Sequence, residues 1–340
     1  MQIKVGLCDK TRSSKQTMPL RFKHIVALLL VMLSGLAGHA QHPRYGNTQR
    51  QVMFTHYMYN IAAINPAYVG SREAMTITAL NRSQWTQVFA RPPFTHSLNL
   101  HSPGQTWERT GIGLTVRNER LGPEQTTSVF GDFSYTINAT RTSWLSFGLK
   151  AGAEMYYANL TDLIIDDPSD PLFAQDLQSF WLPNFGFGIL YRTDQFYFGF
   201  SIPKLLETNP FTNAIHGGAK PALMDRNYFI ISGAAFRVNV DFTFLPSTFI
   251  RLNRFGEFEI DLTANFRMFE KFSLGGMFRP GDSVGLLAGI RVSNSWTIGY
   301  AFDYGIYPKA ASYHSGSHEV VLRYDLIFLN THRERADRFF

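Results

Sequence analysis

The chain has 340 residues, 45% hydrophobic and 17% charged, ordinary for a folded protein, but its 30 Phe, 15 Tyr and 27 Gly lean towards β-structure. Its net charge of +6 does not mark a nucleic-acid binder: residues 1–40 hold Lys4, Lys10, Arg12, Lys15, Arg21 and Lys23 against Asp9, a net of +5, which leaves +1 for the rest. The one cysteine, Cys8, lies in the same stretch, so disulfides and thiol chemistry are excluded from the remainder.

Met18 to Ala40 reads as a secretory signal: Arg21 and Lys23 form a basic start, Ile25 to Leu33 an apolar stretch, and Gly38 and Ala40 a small-residue cleavage site. Residues 1–17 read as an upstream extension, because the signal pattern begins afresh at Met18. Beyond this leader no run approaches the roughly 18 apolar residues of a spanning helix. A membrane protein of this sequence would have to cross as strands.

Residues 41–72 are the least regular part of the chain. Met53 to Ile64 could form a short helix stopped by Pro66, and Asn65-Pro66 and Gly70-Ser71 are turn signals. One reading is a simple helix-ending break. The other is a segment in or under a barrel mouth, acting as a plug or a periplasmic contact.

From Glu73 to Phe328 the spacing predicts about fourteen strands. The clearest runs from Gly256 to Met268, where Phe258, Ile260, Leu262, Ala264, Phe266 and Met268 alternate with polar residues. A 3.6-residue period would scatter those six around a helix. The other predicted strands are 73–83, 94–101, 110–119, 125–139, 143–157, 182–192, 195–203, 227–239, 241–252, 272–279, 283–293, 295–304 and 318–328, with a tail at 329–340. Their connections are sorted: the long ones, 158–181, 204–226 and 305–317, all follow odd-numbered strands, whereas those after even-numbered strands are tight or moderate. That asymmetry predicts an all-β fold: a single transmembrane antiparallel β-barrel of about 14 strands with a short N-terminal periplasmic segment. Aromatic and aliphatic residues should face lipid, with Gly and small polar residues facing inward.

Candidate chemical sites are sparse. Glu257, Glu259 and Asp261 share a face, but no nucleophile or paired His accompanies them, and they read as part of a hydrated barrel interior balanced across the lumen by Lys150, Arg192, Arg267, Arg291 and Arg323. His314 and His318 fall short of a zinc ligand set, and Asp162, Asp166, Asp167 and Asp170 lack an EF-hand's Gly and terminal Glu. There is no GxSxG, HExxH or P-loop, so neither an enzyme nor a cofactor is expected.

Several motifs in order resemble the PorP/SprF family of outer-membrane proteins associated with type IX secretion. They are Tyr57-Met58-Tyr59-Asn60, Ile64-Asn65-Pro66-Ala67-Tyr68-Val69-Gly70-Ser71, Ala79-Leu80 with Gln84-Trp85, and the stretches from Pro93 to Pro103, Gly111 to Pro123 and Ser146 to Ala153. The resemblance implies an outer-membrane barrel that supports delivery or surface anchoring of a large secreted protein, such as a gliding adhesin, with outer-membrane lipid around it and periplasmic secretion components beneath. Candidate partner-binding residues are Tyr57, Asn60, Asn65, Pro66 and Tyr68 below, and the apolar Leu163, Ile164, Ile165, Leu205, Leu206 and Phe211 in the long loops. A porin or solute channel is the rival reading. Three features depart from the family pattern: the stretch before Met53 lacks the usual Gln/Asp-Pro-rich opening, Gln84-Trp85 is followed by Thr-Gln, and residues 329–340 extend beyond the last predicted strand.

Overall fold

The alternation of apolar and polar residues becomes a continuous antiparallel meander in the computed structural model of the chain, which describes residues 53–72, 74–85, 92–104, 109–161, 176–207, 226–253, 256–306 and 316–326. The strands are β1 (Met75–Ser83), β2 (Phe94–Pro103), β3 (Thr110–Leu121), β4 (Glu124–Thr140), β5 (Ser143–Ala158), β6 (Leu177–Thr193), β7 (Phe196–Ile202), β8 (Asn227–Ala234), β9 (Phe236–Arg237), β10 (Phe242–Asn253), β11 (Phe258–Met268), β12 (Phe272–Arg279), β13 (Ser283–Arg291), β14 (Trp296–Gly305) and β15 (Ser317–Leu326). Both β8 and β9 pair with β10, so they are one strand broken at Ala235. The wall therefore has fourteen staves. It closes where β15 pairs with β1, from Met75 opposite Leu326 to Ser83 opposite His318, so no edge is left to face lipid unpaired.

Side chains sort as the pleat requires. Leu114, Leu149, Phe185, Leu274 and Leu286 are exposed on the outer face, whereas Thr76, Thr78, Asn99, Thr115 and Ser128 are buried on the inner one. An exposed apolar band around a polar interior is the inverse of a soluble sandwich, and only a lipid surround makes it stable. Among the described residues no helix is long and apolar enough to cross a membrane, so the crossing is by strands. The connections are sorted as well. The three longest (159–176, 203–226 and 306–316) leave one end of the barrel, and short turns such as 141–142 and 194–195 close the other. Strand positions agree with the sequence pattern to within a few residues, the largest difference being β6, which starts five residues earlier than expected.

Residues 53–72 do not form the single short helix expected for 53–64. A 3₁₀ turn at Tyr57–Tyr59, one helical turn α1 (Ile61–Ile64) and a second 3₁₀ turn at Pro66–Tyr68 follow one another. The Asn65 side chain caps the second 3₁₀ turn, accepting from Ala67 N–H at 2.9 Å, with Pro66 as its first residue. All these turns lie inside the barrel.

Candidate functional site: a lumen filled by residues 53–72

The luminal segment is held at both ends by charge and in the middle by apolar packing. At its start the Glu319 carboxylate (β15) accepts from two successive backbone N–H groups, Thr55 at 3.0 Å and His56 at 2.6 Å. Arg82 (β1) donates to Glu319 at 3.0 Å, to Thr55 Oγ1 at 2.9 Å and to Asp303 (β14) at 2.7 Å, and Thr55 Oγ1 donates to Asp303. Arg82 and Glu319 are buried on facing strands in direct register. Charges this deep persist only when paired and hydrogen-bonded, and this cluster supplies both. At the other end Arg72 grips Asp325 through two nitrogens, at 3.2 and 2.8 Å, and Thr76 Oγ1 donates to the same carboxylate at 2.7 Å. Glu319 lies near the long-connection end of β15 and Asp325 near its short-turn end, so the segment runs down the lumen before entering β1.

Between the two clasps, Met53, Phe54, Tyr57, Met58, Ile61 and Ile64 pack into one buried cluster with wall residues. Tyr57 packs at a tilt with its ring 5.1 Å from that of Phe249 and donates to Ser247 Oγ at 2.8 Å. Further round the wall Ser201 Oγ (β7) donates to the Ile64 carbonyl at 3.0 Å, and Ser134 Oγ (β4) to that of Val69 at 2.6 Å. Asn65 Nδ2 donates to the Ile189 carbonyl at 3.0 Å. Glycines make this closeness possible: a Cβ on Gly148 would sit 2.1 Å from Ala67 N, and one on Gly188 2.1 Å from Asn65 Oδ1. Gly70, at φ +72°, abuts Gly111: a Cβ on Gly70 would strike the Gly111 backbone, and one on Gly111 the Val69 carbonyl.

Of the candidate partner residues, Tyr57, Asn60, Asn65 and Pro66 are thus buried against the wall, and Tyr68 is half-buried with its ring edge-on to His101 at 5.8 Å. In the connection after β7, Leu205 N–H donates to the Phe185 carbonyl at 2.7 Å, and the Leu206 backbone exchanges bonds with Asn184 at 3.0 and 2.9 Å, leaving the Leu206 side chain exposed. Leu163, Ile164, Ile165 and Phe211 lie outside the described residues, as do His314, the Asp162–Asp170 cluster and the leader. In the connection before β6, Asp176 accepts from Thr161 N–H at 3.0 Å and Oγ1 at 2.9 Å, and these bonds hold its carboxyl below the usual carboxylate range.

The interior charge arrangement differs from the expected one. Glu257, Glu259 and Asp261 do not form one set: Glu257 bonds Asn253 at the rim, Glu259 pairs with Arg251, and Asp261 with Arg279 at 2.5 Å. Lys150 pairs with Asp132, its register neighbour, at 2.8 Å, and Arg192 lies over the Trp144 ring. These pairs are between adjacent strands because a filled lumen separates opposite walls. No group of three or more metal-ligating side chains occurs among the described residues.

A closed transmembrane barrel with sorted connections and a luminal N-terminal segment is an outer-membrane protein. The model of the family described as "Type IX secretion system membrane protein PorP/SprF" matches residues 46–324, and the chain belongs to that family. A search of curated proteins found no match. Among solved structures, the chain is similar to a Pseudomonas aeruginosa FadL homologue at 10% identity and TM-score 0.48, covering 78% of this chain and 94% of that one. It is also similar to the Ralstonia pickettii toluene transporter TbuX at 10% identity and TM-score 0.47, covering 78% and 93%. For the CymD monoaromatic hydrocarbon channel the values are 12% and 0.45, covering 78% and 92%.

Proposed function

We propose that this protein is a closed, static anchor of the type IX secretion system that holds a large secreted surface protein, such as a gliding adhesin, on its long outer connections. The observation that carries this reading is the filled lumen. Residues 53–72 touch the wall on nearly every side through side-chain bonds and glycine contacts, which argues for a scaffold rather than a solute path. The work of binding then falls to the loops, as it does on other rigid frames. Leu163, Ile164, Ile165, Leu205, Leu206 and Phe211 supply apolar anchors for the secreted partner. The short turns at the opposite end face periplasmic components of the secretion machinery, and catalysis plays no part.

Affinity purification of the tagged protein from outer membranes in mild detergent tests this. Co-purification of one very large exported protein, or of a periplasmic secretion component, is the expected result. A bare barrel, conducting in planar bilayers, would overturn the reading in favour of a porin.

A further inference from the structure

A second feature lies on the outer wall, away from the lumen. Across β15, β1, β2 and β3 an apolar groove of about 370 Å³ runs along the lipid-facing surface. The small Ala79 forms its floor, and Leu98, Val116, Val320 and Leu322 form its sides. Towards the long-connection ends of these strands the outward residues turn polar. Asn81, His96 and Asn118 occupy one row, in direct register across three strands. Asn81 Nδ2 lies 2.7 Å from His96 Nδ1; with the amide donating, the imidazole's remaining N–H, on Nε2, is left to donate outward.

Beside this row stands a cation without an acid. The Arg120 guanidinium lies 4.4 Å over the Phe94 ring, and Phe94 in turn packs 4.7 Å from the His96 ring at a 46° tilt, so the three side chains form one contiguous cluster. Arg120 Nε has no hydrogen-bond partner, and the guanidinium has no carboxylate among the described residues. Luminal cations behave differently: Arg82, Arg279 and Lys150 are each paired with an acid. Of the carboxylates on the neighbouring strands, Asp132, Asp303, Glu319 and Asp325 point inward and are buried, and Glu119 and Glu124 are half-buried, Glu119 within 3.5 Å of the inward Arg117. The outward face here is therefore basic and the groove beneath it apolar.

We propose that this surface is a specific site for a phosphate-bearing lipid of the outward leaflet, one acyl chain lying in the groove over Ala79 and the phosphate meeting Arg120 and His96. The polarity runs the right way for such a lipid, head towards the long connections and tail towards the membrane middle. The proposal rests on those connections facing outward. An amphiphile with an anionic head matches both halves of the site, whereas a free anion would use only the head and a neutral lipid only the groove.

The full chain, purified in a nonionic detergent, should take up one lipid A molecule in a saturable manner by native mass spectrometry, with a matching upward shift in thermal unfolding. R120Q and H96A should each bind about tenfold more weakly, the loss expected for one charge-assisted contact. R120K should recover part of the affinity, and A79F, which fills the floor, should weaken binding with the head intact. Retained heat-modifiable migration on gels would show that each variant is folded. Equal uptake by the native protein and folded R120Q would overturn the proposal. Equal binding of dephosphorylated lipid A, or an equal thermal shift from inorganic phosphate alone, would also overturn it. Loss of lipid binding without loss of secreted-partner capture would separate this site from the anchoring role.

Discussion

Arg82 shows how much one residue carries in this barrel. Its guanidinium bridges Asp303 and Glu319 and also bonds Thr55, so wall and luminal segment share one charged cluster. In R82L two carboxylates stay buried without their cation, a change that typically costs about 3–5 kcal/mol. The urea midpoint of the detergent-solubilised variant should fall accordingly. The triple replacement R82L/D303N/E319Q, which removes the charges together, should recover much of that loss. If R82L unfolds like the native protein, the cluster does not secure the segment. Gly188 tests the same lumen by size instead of charge. A valine there would drive its branched carbons into Asn65, which already lies where a Cβ would be. G188V should leave the outer wall folded but displace residues 53–72, read out as new protease sensitivity near Tyr57.

At the scale of elements, the strands were legible because period-two alternation has a single structural solution over ten residues, and loop sorting fixed how they join. The interior was harder to read, although a signal for it was present. Several strands carry two large apolar residues in succession: Ile189-Leu190, Ile230-Ile231, Met277-Phe278, Leu286-Leu287 and Val320-Val321. In each pair one member faces lipid and the other, Leu190, Ile231, Met277, Leu287 or Val321, is buried in the cluster around the luminal segment. Such doublets contradict a water-filled lumen and mark the wall positions where something apolar must sit. Taken with Met53, Phe54, Tyr57, Met58, Ile61 and Ile64, they would have placed residues 53–64 inside. The charge pairs were misjudged for the same reason, since Lys150 and Asp261 find partners one strand away, not across an open channel. Burial of each large apolar side chain is worth roughly 1.5–3 kcal/mol, so a polar pair such as M58N/I61N should loosen the segment outright. In planar bilayers the native barrel should stay closed, and M58N/I61N should open to measurable conductance. An open native barrel would refute closure by this segment.

For the whole molecule, the division of labour between wall, lumen and loops makes a separable prediction. The wall is continuous around fourteen staves, and register and closure hold it together. Loop closure costs grow slowly with length, so shortening a long surface loop should barely alter folding. Replacing residues 208–225 by a short Gly/Ser turn keeps the base at Leu205 and Leu206, where Asn184 and Phe185 hold the backbone. That variant should reach the outer membrane and unfold at the native midpoint, yet lose surface display of the secreted partner, scored by labelling intact cells. M58N/I61N should show the opposite pattern, with altered conductance and stability but a loop surface still able to capture partner. If the loop variant displays the partner normally, binding must lie elsewhere on the barrel. If both variants fail together, the lumen and the loops act as one device, and the protein is then a coupled, mobile component instead of a static anchor.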